Sequence, residues 1–362
     1  MSINQIITYI MAFGVVLGGT DRILGNKFGF GENFENGFRM LGPVGLAMAG
    51  IICLAPLLSS GLGTIVGPLC NVLGIDPSIL GSILAIDMGG YVMAMELAAD
   101  PQIGRFFGLV VASIFGCTVV FTIPVGLGFI SIEDRPLFTR GILLGFAAMP
   151  FGIIAGGLML GLGIGTILWN SLPILLISLF LSIGVIKIPE RMMKGFQVFA
   201  RIIQIIATLG LTVAAVTHLT GIQIFPTMPP LQDAMKTVSS ICIVMLGSMP
   251  VAELTQRLLR APFRWIREKT GLNGASTTGL LIGLVSAAPA LALIPDMDKR
   301  GKVVVSSCLV SCVCVLGAHV AFTMNAEPDL VGALLVSKLL GGVIGGTISM
   351  IATRNMYSKE SV

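Results

Sequence analysis

Charged residues are scarce in this chain. They make up 11% of its 362 residues, whereas a soluble domain carries about a quarter. Hydrophobic residues make up 55%. This balance excludes an ordinary soluble fold and predicts an all-α polytopic membrane protein, because a helix satisfies its own backbone hydrogen bonds in the bilayer. The Lys and Arg residues are dispersed over short loops, so the net charge of +4 does not indicate nucleic-acid binding.

The sequence also lacks the motifs of common catalytic and metal sites. It has only two histidines, and its seven cysteines lie in apolar stretches without nearby His or acidic partners, so we expect no metal and no cofactor. No nucleotide loop, His-Glu-x-x-His motif or nucleophile elbow occurs. An intramembrane enzyme is therefore the weaker alternative. Residues 2–5 lack a basic n-region, which predicts a mature helix rather than a signal peptide.

Eleven apolar stretches fill the chain, and most match the roughly 20 residues that cross a ~30 Å hydrocarbon core. They are residues 3–21, 40–60, 77–98, 103–130, 138–160, 165–186, 198–217, 237–255, 275–296, 303–325 and 330–352. No soluble domain is appended, so residues 1–362 are predicted to form a single integral membrane transport domain.

The positions of the basic residues predict the topology, because cytoplasmic loops are enriched in Lys and Arg. If all eleven stretches cross, these residues divide almost evenly between the two sides. If stretches 77–98 and 275–296 are re-entrant hairpins, only Arg105 and Lys236 fall outside, and Lys338 lies within a helix. We therefore prefer nine crossings and two hairpins, with the N-terminus outside. Eleven crossings, two of them kinked, are the alternative.

An internal repeat supports this topology. A shift of 197 residues aligns the apolar stretches of residues 3–130 with those of 200–327. The loop 61–75 is nearly uncharged, but its counterpart is strongly basic between Arg257 and Lys269, which indicates opposite orientation. The sequence thus predicts an inverted repeat with halves at about 1–164 and 198–353, linked by a transmembrane helix at 165–186. This architecture is typical of transporters.

Asp87 is the most informative candidate residue. A carboxylate in an apolar stretch costs roughly 2.5–3.5 kcal/mol on insertion scales, so it usually faces a cavity and contacts a substrate or ion. Gly89 and Gly90 follow it and favour a break in the helix. These residues predict a binding site for a small polar or cationic solute. A helix cap or an ion pair with Lys338 is the alternative for Asp87.

Several segments carry a resemblance to a known family. They are Ala85-Ile86-Asp87-Met88-Gly89-Gly90, residues 95–98, residues 6–11, residues 20–24 and residues 121–128. In these segments, and over essentially its whole length, the chain resembles the ethanolamine-utilization membrane proteins of the EutH family. The resemblance implies a permease for ethanolamine in the bacterial cytoplasmic membrane, with ethanolamine and membrane lipid as its partners. Family members accompany pathways that degrade ethanolamine inside a protein-shelled compartment.

A site for ethanolamine needs a carboxylate or carbonyl oxygens for the ammonium, and an aromatic face can add a cation–π contact. Asp87 is the first candidate for the ammonium. Tyr91 offers a ring face or a hydroxyl, with simple packing as the alternative. Glu253 follows Pro250 and is a candidate for the substrate or a coupling ion, with an i,i+4 pair to Arg257 as the alternative.

Five further residues complete the candidate set. Lys338 acts as a charge relay if it pairs with a core carboxylate, and otherwise snorkels to the outer surface. His319 is a candidate proton-coupling group or a packing residue. Ser286, Thr122 and Asn325 are candidates for the substrate hydroxyl, although Ser and Thr in membrane helices usually bond their own backbone.

These residues leave the mechanism open. Broken helices in an inverted repeat favour alternating access, either as a uniporter or coupled to Na⁺ or H⁺. A selective channel with Asp87 in a filter is the alternative. We expect a homo-oligomer, with a dimer as its form.

Overall fold

A computed structural model of the protein describes residues 3–84, 88 and 90–357. Every regular element in these residues is helical, which confirms the all-α polytopic fold. The helices are α1 (Ile3–Ile23), α2 (Phe30–Arg39), α3 (Leu41–Leu73), α4 (Ile79–Ile83), α5 (Gly90–Leu97), α6 (Pro101–Arg105), α7 (Ile123–Phe129), α8 (Arg135–Met159), α9 (Ile164–Lys187), α10 (Pro189–Thr220), α11 (Leu231–Thr270), α12 (Gly274–Gly283), α13 (Ala287–Ala292), α14 (Lys299–Cys312), α15 (Ala318–Ala326), α16 (Val331–Ala352) and α17 (Arg354–Tyr357). Two π-helical segments, Phe106–Gly116 and Thr118–Thr122, join α6 to α7.

Eight helical segments in the described part of the chain are long and apolar enough to cross a membrane. They are Gln5–Ile23, Phe30–Leu73, Pro101–Phe129, Arg135–Met159, Ile164–Leu181, Glu190–Thr220, Leu231–Thr270 and Pro328–Ala352. The remaining expected crossing, 303–325, is divided between α14 and α15 by a turn at residues 313–317. Length and composition therefore locate the crossings, but they do not reveal this interruption.

Polar contacts between distant segments agree with the predicted topology, because each joins ends assigned to one side. At the predicted cytoplasmic end, Lys302 pairs with Asp134 at 2.5 Å. Arg140 donates there to the carbonyl of the last residue of α16, at 2.8 Å. At the outer end, Arg105 pairs with Glu327 at 2.9 Å. The nine-crossing arrangement is thus consistent with these pairings.

The stretch 77–98 folds back on itself. The carboxylate of Asp76, at its start, accepts hydrogen bonds from the backbone N–H groups of Ala99 at 3.1 Å and Asp100 at 3.0 Å, at its end. The arms α4 and α5 lie side by side, since a Cβ on Gly81 would be 2.6 Å from the Cβ of Ala94. A full crossing would separate these residues by most of the bilayer, so this stretch forms a hairpin.

The stretch 275–296 folds back in the same way. Asn273, at its start, donates its backbone N–H to Asp298 at 2.9 Å and its side-chain amide to the carbonyl of Asp296 at 2.9 Å. A Cβ on Gly279 of α12 would run into the side chain of Met297. The two stretches are therefore hairpins, and the alternative of kinked full crossings is wrong.

The helix before each hairpin is longer than the bilayer is thick. Helices α3 and α11 have 33 and 40 residues, respectively. At 1.5 Å per residue they span about 50 and 60 Å, against ~30 Å of hydrocarbon. Each ends at a left-handed glycine, Gly74 with φ 63° and Gly271 with φ 71°, which turns the chain into its hairpin. These glycines are 197 residues apart, as the predicted repeat requires.

Candidate functional site

Three interruptions of regular helix concentrate in the second hairpin and the segments that pack on the two hairpins. Among the described residues they are the π-helical segments, the break between α12 and α13, and the turn at residues 313–317. Irregular backbone at membrane depth persists only where protein or a cavity covers it. Its exposed carbonyl and amide groups are also the groups that bind solutes in transporters. We therefore take this region as the candidate site.

The turn at residues 313–317 is held by the tip of the second hairpin. The backbone N–H of Cys314 donates to the carbonyl of Gly283 at 2.9 Å, and that of Leu316 donates to the carbonyl of Leu284 at 2.7 Å. Cys314 takes a positive φ of 55°, which is uncommon outside glycine. The two segments thus pair through their backbones, and this pairing interrupts the helix.

The interruption frees the carbonyl of Val310, which then accepts a hydrogen bond from the π-helical segment. In a continuous helix the N–H of Cys314 would bond to the carbonyl of Val310, but here it bonds to the hairpin tip. The single hydroxyl proton of Thr118 is shared between that Val310 carbonyl, at 2.9 Å from Oγ1, and the carbonyl of Ile114, at 2.7 Å. One buried hydroxyl therefore ties the π-helical segment to the broken helix.

Lys338 is buried on the π-helical segment. It is 0% exposed, and its Nζ donates to the carbonyl of Ser113 at 2.7 Å. The side chain therefore does not snorkel to the surface. Long π-helical segments are rare and frequently lie at functional sites. The predicted carboxylate partner, Asp87, lies outside the described residues, as does Gly89, so the Asp87–Lys338 pairing stays a prediction.

Tyr91, in α5, is anchored at both ends of its side chain. Its hydroxyl donates to Glu327 at 2.7 Å, and its ring meets Phe322 edge-on with centroids 5.5 Å apart. Glu327 also accepts from Arg105 at 2.9 Å. The first hairpin is thus tied to two other segments at ends that the topology assigns to the outside. The packing interpretation of Tyr91 agrees with these contacts, and a cation–π contact to the substrate stays a prediction.

Three other candidates lie on or beside α15. His319 is fully buried, and its carbonyl accepts from the hydroxyl of Thr323 at 2.9 Å. Asn325 is half-buried near the end of the same helix. Ser286 is half-buried at the tip of the second hairpin, and the preceding residues contact the turn that leads into α15. The structure therefore brings Tyr91, Ser286, His319 and Asn325 to one short helix and its leading turn.

Thr122 ends the π-helical segments. It is fully buried, and its hydroxyl has no hydrogen-bond partner among the described residues. A buried polar group without a partner costs about 1–3 kcal/mol, so this hydroxyl is available to a ligand. Gly90, the first residue of α5, is buried as well.

Glu253 lies apart from this set. It pairs with Arg257 at 2.7 Å, as the alternative interpretation predicts. Arg257 also donates to the carbonyl of Phe28 at 2.6 Å and lies 4.4 Å above the ring centroid of Phe30. Glu253 therefore belongs to a polar cluster at the predicted cytoplasmic end, away from the interrupted helices.

Sequence reasoning missed four participants. Glu327, beside a proline in a loop, resembles any interfacial carboxylate, and the carbonyl of Ser113 has no side-chain signature. Asp76 and Asn273 close the bases of the hairpins. Their signal was available, because they are 197 residues apart and each comes two residues after a left-handed glycine.

Comparisons with known proteins give a consistent result. A family model described as "Ethanolamine utilisation protein, EutH" matches residues 3–352. The chain is 38% identical to "Probable ethanolamine permease EutH" of Listeria monocytogenes serotype 1/2a (strain 10403S), over 99% of this chain and 97% of that protein. It is 36% identical to "Uncharacterized protein YxeR" of Bacillus subtilis (strain 168), over 99% and 98%. It is 34% identical to "Probable ethanolamine permease EutH" of Escherichia coli (strain K12), over 97% and 96%. No solved structure matches.

Proposed function

This chain belongs to the family of the ethanolamine utilisation protein EutH, and from that premise we propose that it is a permease that imports ethanolamine for catabolism. Its relatives from Listeria monocytogenes and Escherichia coli carry the name of such a permease. The chain is a multi-pass membrane protein, and the proposed location is the bacterial cytoplasmic membrane. A permease role, rather than an enzymatic one, accords with these names.

The observation that carries the proposal is the buried ammonium of Lys338 on the carbonyl of Ser113. A lysine head group is a primary ammonium on a methylene carbon, which is also the cationic end of protonated ethanolamine. A buried site that stabilises the first group has the chemistry to stabilise the second. In our proposal Asp87 binds the substrate ammonium, and Lys338 compensates that carboxylate when the site is empty, because an unpaired buried charge is costly.

The hydroxyl of the substrate needs its own partner. Thr122 is our choice, since its buried hydroxyl lacks a hydrogen bond among the described residues. Ser286 and Asn325 are the further candidates on the side of the second hairpin. In our proposal Gly89 and Gly90 break the helix beside Asp87, as the sequence predicts, and the hydrogen bond from Tyr91 to Glu327 positions the following helix.

Alternating access is the proposed mechanism. Two hairpins, two interrupted helices and pairs of corresponding residues 197 apart support an inverted repeat that rocks about a central site. The link from Tyr91 and Arg105 to Glu327 is the contact that holds the outer end closed. His319, buried in α15, is the candidate for proton coupling, and Na⁺ is the other candidate ion.

The test is uptake of labelled ethanolamine into proteoliposomes, under imposed voltage, proton or sodium gradients. We expect saturable uptake with counterflow, a response to voltage, and its collapse in Asp87→Asn. Lys236→Gln, an exposed residue of the outer end, is the matched control and should transport normally. Unsaturable uptake without counterflow would favour a selective channel. Full uptake in Asp87→Asn would remove Asp87 from the proposed role.

A further inference from the structure

An apolar groove of about 560 Å³ opens on the side of the protein, between the second hairpin and the helices α14 and α16. Its walls include Leu280 and Leu284 of the hairpin, Val304 and Cys312 of α14, and Val343 and Met350 of α16. Two small residues of α16, Gly342 and Gly346, line the groove and lie against Cys312 and Cys308 of α14. In a membrane protein such a lateral groove is in contact with lipid.

The groove has the depth of one leaflet. Along α14 it extends from Arg300 to Cys312, a rise of about 18 Å at 1.5 Å per residue. That length is roughly half of a ~30 Å hydrocarbon core. Arg300 lies at the predicted cytoplasmic end, two residues before the Lys302–Asp134 ion pair. The groove therefore faces the inner leaflet.

The mouth of the groove is positively charged. Among the described residues, Arg300 and Arg354 are its only charged lining residues, and both lie at the predicted cytoplasmic end. Arg300 is oriented by donating to the carbonyls of Thr270 and Met350, whereas Arg354 is exposed. Guanidinium groups bind phosphate oxygens strongly. Basic pockets between transmembrane helices on the cytoplasmic side are typical sites for anionic lipid head groups.

We propose that an anionic phospholipid of the inner leaflet occupies this groove. One acyl chain lies along the hairpin and α16, and the phosphate lies at Arg354 and Arg300. The tip of this hairpin bonds to the turn at residues 313–317. The acyl chain of the lipid therefore packs against an element of the proposed site. The lipid then holds the second hairpin against α14 and α16, so anionic lipid becomes a stabiliser of one conformation.

The test measures lipid binding by native mass spectrometry and lipid-dependent thermal unfolding, neither of which requires transport activity. The probes are phosphatidylglycerol, phosphatidylcholine with the same acyl chains, and glycerophosphoglycerol, which is the head group without chains. Arg354→Gln removes a charge at the mouth, and Val343→Trp fills the groove. Both side chains are exposed, Val343 at 65%, so both variants should fold. Arg260→Gln is the matched control, an exposed arginine of α11 that does not line the groove.

We expect phosphatidylglycerol to bind about tenfold more tightly than phosphatidylcholine, which corresponds to one charge-assisted contact of about 1.4 kcal/mol. That preference should be lost in Arg354→Gln and retained in Arg260→Gln. Val343→Trp should weaken the binding of both lipids. Equal binding of the two lipids by the wild type overturns the proposal. Loss of the preference for phosphatidylglycerol in Arg260→Gln, to the same extent as in Arg354→Gln, also overturns it. So does binding of glycerophosphoglycerol as tight as that of phosphatidylglycerol.

Discussion

Replacement of Lys338 by Met is the sharpest perturbation that the structure offers. Methionine matches lysine in length and is unbranched, so the core keeps its volume while the ammonium is removed. Lys338 is fully buried, and its Nζ donates to the carbonyl of Ser113 at 2.7 Å. If the lysine side chain only fills space in the core, the variant should be as stable as the wild type or more stable. If the charge compensates a buried carboxylate, the variant should be much less stable.

The expected magnitude follows from these two contributions. Loss of a hydrogen bond from a charged donor costs about 1.5–3 kcal/mol. Removal of one member of a buried ion pair costs roughly 3–5 kcal/mol in total, because the other charge is left uncompensated. For a chain of this length that destabilisation lowers Tm by roughly 4–7 °C. Lys338→Met/Asp87→Asn should recover most of the loss, since neither charge remains.

The assay is thermal unfolding of purified protein in one detergent at fixed lipid content, followed by intrinsic fluorescence or light scattering. Lys236→Met is the matched control, since this lysine is exposed at the outer end and should shift Tm by less than about 1 °C. A Tm for Lys338→Met equal to that of the wild type would refute the reasoning. An additive loss in the double variant would refute the pairing with Asp87.

Three further predictions concern other parts of the fold. Gly50→Ala should destabilise the protein by at least 2–3 kcal/mol, roughly the overpacking penalty, because the added Cβ would run into the carbonyl of Ala207 in α10. A reduced yield of folded protein measures this destabilisation. Asp76→Ala should lower stability by roughly 2–4 kcal/mol by leaving backbone donors unpaired, and faster hydrogen exchange at the base of the first hairpin should reveal it. Thr122→Val should raise the KM for ethanolamine by about tenfold without lowering Tm, because the hydroxyl it removes has no hydrogen bond among the described residues. A lower Tm with unchanged KM would contradict the assignment of Thr122 to the substrate.

Much of the topology was predictable because it depends on local quantities. The apolar length of each stretch located the crossings, and the distribution of Lys and Arg indicated that stretches 77–98 and 275–296 fold back. The contacts of Asp76 and Asn273 confirm both hairpins. The charge pair of Glu253 with Arg257 was also foreseeable, as one of two interpretations, because an i,i+4 pair is a local feature.

The interior of the site was less predictable. Residues 312–317 are uniformly apolar and contain no proline, so nothing in them marks the end of α14. The helix stops because the backbone of Cys314 and Leu316 bonds to the second hairpin instead of to the preceding turn. The π-helical segments likewise lie in an apolar run without a proline before Pro124, and the isolated glycines Gly108 and Gly116 do not by themselves predict a π-helix.

The sequence by itself determined the class of the protein and the position of most membrane crossings, and it favoured the two hairpins over kinked crossings; the side assigned to each loop stays a prediction. These features depend on the length of each apolar stretch and on the charges that flank it, both of which are visible within about 20 residues of sequence. Only the tertiary structure decided that Lys338 lies on the carbonyl of Ser113 and that Tyr91 bonds to Glu327. Those partners are 225 and 236 residues apart in the chain. Hydrogen bonds between such distant groups depend on how the helices pack, and no local pattern encodes which carbonyl or carboxylate a buried donor will meet.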